Sequence, residues 1–447
     1  MASGIWQIPK IPELRNRLLI MVALLGVYRF GVFIPNPGTN RGALKSFFGG
    51  DSGTLFDLYN MFSGGALEQF SIFTLGIMPY ISASIIIQLL TVVVPALERL
   101  QKEGEAGRQK ITQYTRYGTI GISVIQGFAI AYGLENMSAP GDSGAVVLTP
   151  GWHFRLMTVL TLTTGTAFIM WLGERITEWG IGNGISLIIM AGIIVRFPDA
   201  LFTTFGQLRT EERNFLQLLV LGVFAIGVIV FIVICERGQR RIPVQYAKRV
   251  VGRKVYGGQN THLPLKINMA GVIPPIFASS IIMFPATVAS FWRGNPFLDA
   301  VQALFMPGTT MYLTTYAAMT IFFCYFYTSV TFNPADVAEN MQKHGGYIPG
   351  IRPGKHTAEF IDRCLTRLTL SGSLYIALVC VIPDILISQA RVTFYFGGTG
   401  LLIVVGVALD LVAQIESHLL TRHYDGLMGD QGKRIQSSYG KRGAKPL

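Results

Sequence analysis

The chain has few of the residues that soluble proteins place on their surfaces. Only 14% of its 447 residues are charged, against roughly 25% in a soluble globular domain. Four cysteines, Cys235, Cys324, Cys364 and Cys380, stand far apart with no CxxC pair. That excludes a disulfide scaffold and a redox motif. The six histidines are scattered without an HExxH, and the close pair His418 and His423 lies in the tail. No metal site is expected. No nucleophile has an evident base beside it, so catalytic residues and cofactors are expected to be none. What abounds is apolar. Hydrophobic residues make up 50% of the chain, with 50 glycines and 29 phenylalanines, as suits helices packed in lipid.

Ten apolar runs have the length of membrane helices: about 18–34, 71–94, 117–134, 156–173, 185–201, 215–235, 269–292, 311–332, 368–388 and 397–416. The first follows Lys10, Arg15 and Arg17 as a signal peptide would, but no small-residue cleavage site succeeds it, so it reads as a retained helix. Ten spans put both termini on one side. Of 37 Lys+Arg, the opposite loops hold only Arg41, Lys45, Arg155, Arg196, Arg209, Arg213, Arg293 and Arg391. Arg29 lies within the first span. The excess of positive charge on the face with the termini marks it as cytoplasmic. The fold class is therefore an all-α polytopic membrane protein with ten transmembrane helices in two inverted five-helix halves. A cytoplasmic segment 1–17 precedes the first half, 18–201. The second half is 202–416, and a cytoplasmic tail, 417–447, follows.

Inverted halves bring matched interrupted helices together near the midplane. The second span of each half is interrupted, by Gly76 and Pro79 in one and by Gly271, Pro274, Pro275 and Pro285 in the other. Proline removes a backbone donor and kinks a helix, so a moving or pore-lining pair is expected. The spans hold few ionisable residues at their centres, unlike ion-coupled pumps. Asp384 and Asp410 sit at opposite depths and make a poor catalytic dyad. The glycines of 180–184 read as a tight interhelical turn, because no P-loop lysine accompanies them. The apolar piece NMFSGGAL, 60–67, lies outside the membrane by topology. It either rests at the interface or re-enters the bundle. Two loops, 236–268 and 333–367, are basic. The first carries eight Lys and Arg against Glu236, and the second holds GGYIPGIRPGKHT, an exposed turn presenting Arg352. Charge at that density serves topology and anionic lipid, or docks a phosphate-bearing partner.

The runs NMFSGGAL, LGIMPYISASIIIQLL, GEAGRQKITQYTRYGT, ITEWGIGNGIS, ERGQRRIPVQYAKR, THLPLKINMAGVIPPIFASSII, GIRPGKHT and FYFGGTGLLIVV closely resemble the SecY family, the central subunit of the bacterial general protein-secretion channel. The resemblance extends from near Arg15 to about Glu416. It implies a clamshell of two halves around an hourglass pore in the inner (cytoplasmic) membrane. The pore ring would be Ile77, Ile81, Ile185, Ile189, Ile276 and Ile403. An apolar constriction resists wetting, and stiff branched side chains seal around a polypeptide without sequence preference. A plug near 57–70, including Asn60, Met61, Phe62, Ser63, Gly64 and Gly65, would close the outer funnel. Spans two and seven would form a lateral gate with Ser82, Gln88 and Phe284 on its seam, admitting signal sequences and nascent chains. Arg240, Arg241, Arg253, Lys254 and Arg352 would dock the ribosome, through ribosomal RNA, or the SecA motor ATPase. SecE and SecG would be the small membrane partners. The implied function is a passive channel for unfolded secretory polypeptides that also releases transmembrane segments sideways, with no covalent chemistry. From topology alone the alternative is a secondary transporter of a small solute. That would need a compact polar site at midplane, where isoleucine, serine and glutamine predominate.

Overall fold

The computed structural model describes residues 11–40, 42, 44, 60, 62–135, 146–209, 215–246, 249–251, 254–256, 260–291, 309–390 and 398–440. In chain order they form α1 (Pro12–Val32), α2 (Met78–Val93), α3 (Pro95–Lys102), α4 (Glu105–Glu135), α5 (Trp152–Trp179), α6 (Gly184–Arg209) and α7 (Phe215–Arg237). Four strands follow: β1 (Gln239–Tyr246), β2 (Arg249–Val251), β3 (Lys254–Tyr256) and β4 (Asn260–Lys266). The chain continues with α8 (Ile273–Phe291), α9 (Thr310–Thr331), α10 (Pro334–Lys343), β5 (Gly346–Tyr347), α11 (Lys355–Ala390) and α12 (Gly398–Gly440). A helix coincides with every one of the ten apolar runs. Among the described residues, 105–135, 152–179, 355–383 and 398–419 are each long and apolar enough to cross a membrane, and α2 with the sharply bent α3 forms a fifth candidate. The architecture is that of an all-α polytopic membrane protein.

The second apolar run corrects the reading of its interruption. Residues 63–77 run as turns and a bridge, and the helix begins only at Met78. Gly76 stands at φ 55° and Gly271 at φ 64°, each two residues before its helix. The Gly76–Pro79 and Gly271–Pro274 breaks are helix starts and not mid-helix kinks, whereas Pro285 lies within α8. A left-handed backbone favours glycine. Proline fits the first turn that follows, where its missing N–H has no helical acceptor to lose. Gly76-Ile-Met-Pro79 and Gly271-Val-Ile-Pro274 are one motif used twice. Ile81 and Ile276 occupy the same place relative to it. The far end of α2 turns by 99° into α3 across Val94, where Pro95 ends one helix and opens the next.

Packing follows the two groups of helices. α4 lies on α2 and α5, and α5 on α1 and α6. In the second group α9 lies on α8 and α11, while α11 touches α7 and α12. Among the described residues the main seams between the groups are α6 against α12, and α8 against both α2 and α4. The chain passes from one group to the other between α6 and α7, so only the first seam is close to a covalent connection.

The two basic loops are built as one unit, which their separate positions in the sequence do not announce. β1 pairs antiparallel with β4, from Gln239 opposite Lys266 to Gln245 opposite Asn260. β5 from the other loop joins the free edge of β1. The pleat sends Ile242 and Val244 inward and leaves Arg241 and Pro243 exposed. Ile242, Leu265, Ile348 and Ile361 then close a small core of their own, with Val337 of α10 and Phe360 of α11 packed against it.

Replacing Gly271 by alanine isolates the backbone requirement, because no heavy atom stands within 4 Å of the added Cβ. A left-handed L-residue costs about 1–2 kcal/mol. Thermal unfolding in detergent should show Gly271→Ala destabilised by about that amount and Gly271→Asn by less, since asparagine tolerates this conformation.

Candidate functional site

Five of the six isoleucines, far apart in sequence, belong to one apolar cluster that draws on both helix groups, and the sixth packs against it. Ile77, Ile81, Ile189, Ile276 and Ile403 are 3%, 5%, 2%, 6% and 0% exposed and belong to one contiguous apolar cluster. Ile77 caps α2, Ile81 lies on its first turns, and Ile189, Ile276 and Ile403 come from α6, α8 and α12. Ile185 is half-buried at the cluster's edge. Its Cγ1 stands 3.1 Å from where a Cβ on Gly173 would be, so it leans toward α5. One polar anchor braces the second group beside Ile276. The buried Tyr316 hydroxyl is 2.8 Å from Thr399 Oγ1 and 3.5 Å from the Pro275 carbonyl. It ties α9 to the start of α8 and the start of α12.

The NMFSGGAL segment is buried in the bundle. Asn60, Phe62 and Ser63 are nearly inaccessible, and Phe62, Ala66 and Leu67 belong to the same cluster as the isoleucines. Its backbone polar groups find partners on α1: Tyr28 donates to the Ser63 carbonyl at 3.2 Å and Arg29 to the Gly64 carbonyl at 2.7 Å. Asn60 Nδ2 reaches Glu68 Oε2 at 3.3 Å, and the Glu68 amide donates to Asn60 Oδ1 at 3.2 Å. Gly64 and Gly65 both have positive φ. A Cβ on Gly64 would come within 2.9 Å of Gly192 Cα on α6, so the segment and that helix meet backbone to backbone. Phe70 closes the segment in a left-handed conformation, φ 43°, which is strained for a bulky residue. It is held by its own amide on Leu67 and by the Asn36 amide on its carbonyl. Met61 lies outside the described residues.

At the proposed gate α2 and α8 pack side by side. Ser82 and Gln88 are half-buried on α2, with Gln88 Nε2 3.5 Å from Ser84 Oγ on its own helix. Phe284 belongs to α8, and its side chain lies outside the description. On the unit built by the two basic loops, Arg240 and Arg241 are exposed on β1. Arg352 is exposed in the turn after β5, its carbonyl accepting from Thr357 Oγ1 at 2.9 Å. These three basic residues therefore share one packed body. Arg253 lies outside the described residues; Lys254 opens β3, and its side chain is not described.

The base of the β1–β4 hairpin is clasped by residues that the sequence did not single out. Glu236 Oε1 accepts from Asn268 Nδ2 at 2.7 Å and from the Tyr375 hydroxyl at 3.1 Å. Asn268 also donates to the carbonyl of Gly271 at 3.0 Å. The clasp thus connects the basic hairpin, the start of α8 and α11. Glu236 stands just beyond the apolar run 215–235. Burial pushes its carboxyl above the usual carboxylate range, while the Asn268 and Tyr375 hydrogen bonds oppose that rise. A lone acid closing an apolar run and an asparagine 32 residues later were the available signals, and neither specifies a partner.

Comparison with known proteins places this geometry. A family model described as SecY matches residues 71–412. The Escherichia coli K12 protein translocase subunit SecY is 52% identical over 419 residues, covering 93% of this chain and 94% of that one. A solved structure concerned with the plug domain of the SecY protein and the closed state of its translocation channel aligns with TM-score 0.64 at 18% identity, over 92% of this chain and 96% of that one. Sec61 in the canine ribosome–channel complex from the endoplasmic reticulum aligns with TM-score 0.59 at 15% identity, over 92% and 96%. At those identities the two structures speak for the fold.

The clasp yields a paired prediction. Glu236→Ala strands two buried donors and should cost about 1–3 kcal/mol, whereas Glu236→Gln keeps an acceptor for both. The raised carboxyl favours the protonated folded state, so its contribution is complete at acid pH and is lost as pH rises through its shifted value. In detergent, the melting temperature of Glu236→Gln minus that of the parent should grow with pH across that range.

Proposed function

The chain belongs to the SecY family, and from that premise we infer how its waist conducts polypeptides. It is a membrane protein translocase subunit, a protein-conducting channel and not an enzyme. Unfolded secretory chains pass through it, and transmembrane segments leave it sideways into lipid. The likeness to translocase subunits gives no support to the small-solute transporter.

The finer assignments rest on one observation: isoleucines from four helices of both groups converge in a single apolar cluster. We propose that Ile77, Ile81, Ile185, Ile189, Ile276 and Ile403 form the pore ring. Returning a buried isoleucine to water costs about 1.5–3 kcal/mol, so an empty, wetted ring is disfavoured by several such terms. A polypeptide threaded through it restores apolar contacts in place of water. The ring thereby stays closed to ions whether empty or occupied. Asn60 to Gly65 form a plug above the ring, and α2 parts from α8 at Ser82, Gln88 and Phe284 to let a hydrophobic segment reach lipid.

The cytoplasmic unit docks the machine that supplies the chain. Exposed Arg240, Arg241 and Arg352 on one packed body, with Arg253 and Lys254 in the same basic stretch of sequence, suit a phosphate backbone, which arginine grips bidentately. Ribosomal RNA is such a partner, and the Sec61 likeness comes from a ribosome-bound channel. The SecA motor would use the same surface, SecE and SecG would accompany the chain in the membrane, and anionic lipid would meet the remaining basic residues. Membership of the family supports a bacterial inner-membrane location, and the charge distribution supports both termini being cytoplasmic.

A cysteine-capture experiment tests the ring. The four native cysteines are replaced, one cysteine is introduced as Ile81→Cys or Ile403→Cys, and a single-cysteine preprotein is stalled in membranes supplied with SecA. A disulfide that depends on ATP and on the signal sequence is the expected result. No capture at either position with stalled substrate present, or equal capture at a lipid-facing control site, would remove the ring assignment.

A further inference from the structure

We propose that Arg29 and Arg196 are positioning residues that latch the plug from two sides and so set the threshold at which the channel opens. The proposal rests on the plug reading above and names what holds the plug closed. Three contacts carry it. Arg29 reaches from the end of α1 to the Gly64 carbonyl at 2.7 Å, and its guanidinium also lies over the Phe33 ring, 4.9 Å from the centroid. Arg196 on α6 pairs with Glu68 at 3.5 Å. Glu68 in turn is joined to Asn60 by both its carboxylate and its amide. The two ends of the plug are thus closed on each other through Asn60 and Glu68, and the closed loop is tied to one helix at each side.

The geometry explains why charge is used here. The plug fits against α6 where Gly64 meets Gly192, and that close approach leaves no room for side-chain packing. Apolar contact through Phe62, Ala66 and Leu67 excludes water but does not fix the segment's register. Directional bonds to a carbonyl and to a carboxylate do. The Glu68 and Arg196 side chains are 33% and 38% exposed, so their pair is partly screened by solvent and can be broken reversibly. A latch that must release during each transport event needs contacts of that moderate strength. Both arginines come from the helix group that carries the plug, so the plug can stay latched until an incoming chain displaces it.

The test uses the full chain with its membrane partners, in membranes where its amount is measured. Two readouts are taken: resting ion leak, and export of a preprotein with a defective signal sequence. Glu68→Arg and Arg196→Glu should each raise both by about tenfold, the change that corresponds to about 1.4 kcal/mol. The exchanged pair, Glu68→Arg with Arg196→Glu, should return both toward the parent, a rescue that a merely misfolded protein would not give. Arg29→Met should raise both readouts independently of the exchange. Deleting residues 60–65 distinguishes the two levels of the argument. If the deletion raises leak but the charge variants match the parent, or the exchanged pair is no better than the single variants, the latch is wrong and the plug stands. If the deletion itself leaves leak unchanged, the plug reading falls and takes the latch with it.

Discussion

A membrane passage wide enough for a polypeptide has to exclude water when nothing is in it, and the rest of this structure depends on how that is done. On the proposed ring, water and ions would be kept out by an apolar cross-section rather than by a charged filter. Isoleucine suits the task because it is bulky, branched at Cβ and stiff, and because an apolar lining makes no specific bond that a passing chain would have to break. The scarcity of ionisable residues in the spans is the same fact seen from the sequence. A charge near the ring would hold water and ions at the one level where they must be absent.

That constraint dictates the helices around it. The proposed ring draws isoleucines from both groups, so on that reading it widens when the groups separate. Of the two seams, α6 with α12 lies next to the chain's crossing between groups, while α8 with α2 and α4 has no such tether. The untethered seam is the one proposed to open toward lipid. The repeated Gly-x-x-Pro motif places Ile81 and Ile276 at equivalent positions on α2 and α8 and starts each helix abruptly, so the proposed ring and gate would share the same structural elements. The Asn268 bonds to Glu236 and Gly271 put the base of the β1–β4 hairpin against the first residues of α8. The proposed docking and gating surfaces would therefore be mechanically close.

Much of this was legible in the sequence, for identifiable reasons. Ten apolar runs make the class legible, because that signal sums over many residues; the one-sided distribution of Lys and Arg supports the proposed orientation in the same way. The tight turn at 180–183 and the exposed Arg352 turn followed from glycine and proline placement. The ring did not follow from composition or spacing. Isoleucine in a membrane helix ordinarily faces lipid or core, and only resemblance to a family singled out these six. The matched breaks were visible, but their nature was not: a proline in an apolar run signals either a kink or a first turn, and backbone geometry decides. The basic loops looked separate because β-pairing between Gln245 and Tyr347 spans 102 residues. The Arg29, Glu68 and Arg196 contacts were hidden in the same way, as single charges whose partners lie on other segments.

The most direct test of the account measures distances across the two seams in the full chain with its membrane partners. Spin labels would bridge α2 to α8 in one sample and α6 to α12 in another, with and without a stalled preprotein. The account predicts that the stalled chain lengthens the α2–α8 distance and leaves the α6–α12 distance unchanged. Equal lengthening at both seams, or none at α2–α8 while a chain occupies the pore, would contradict it.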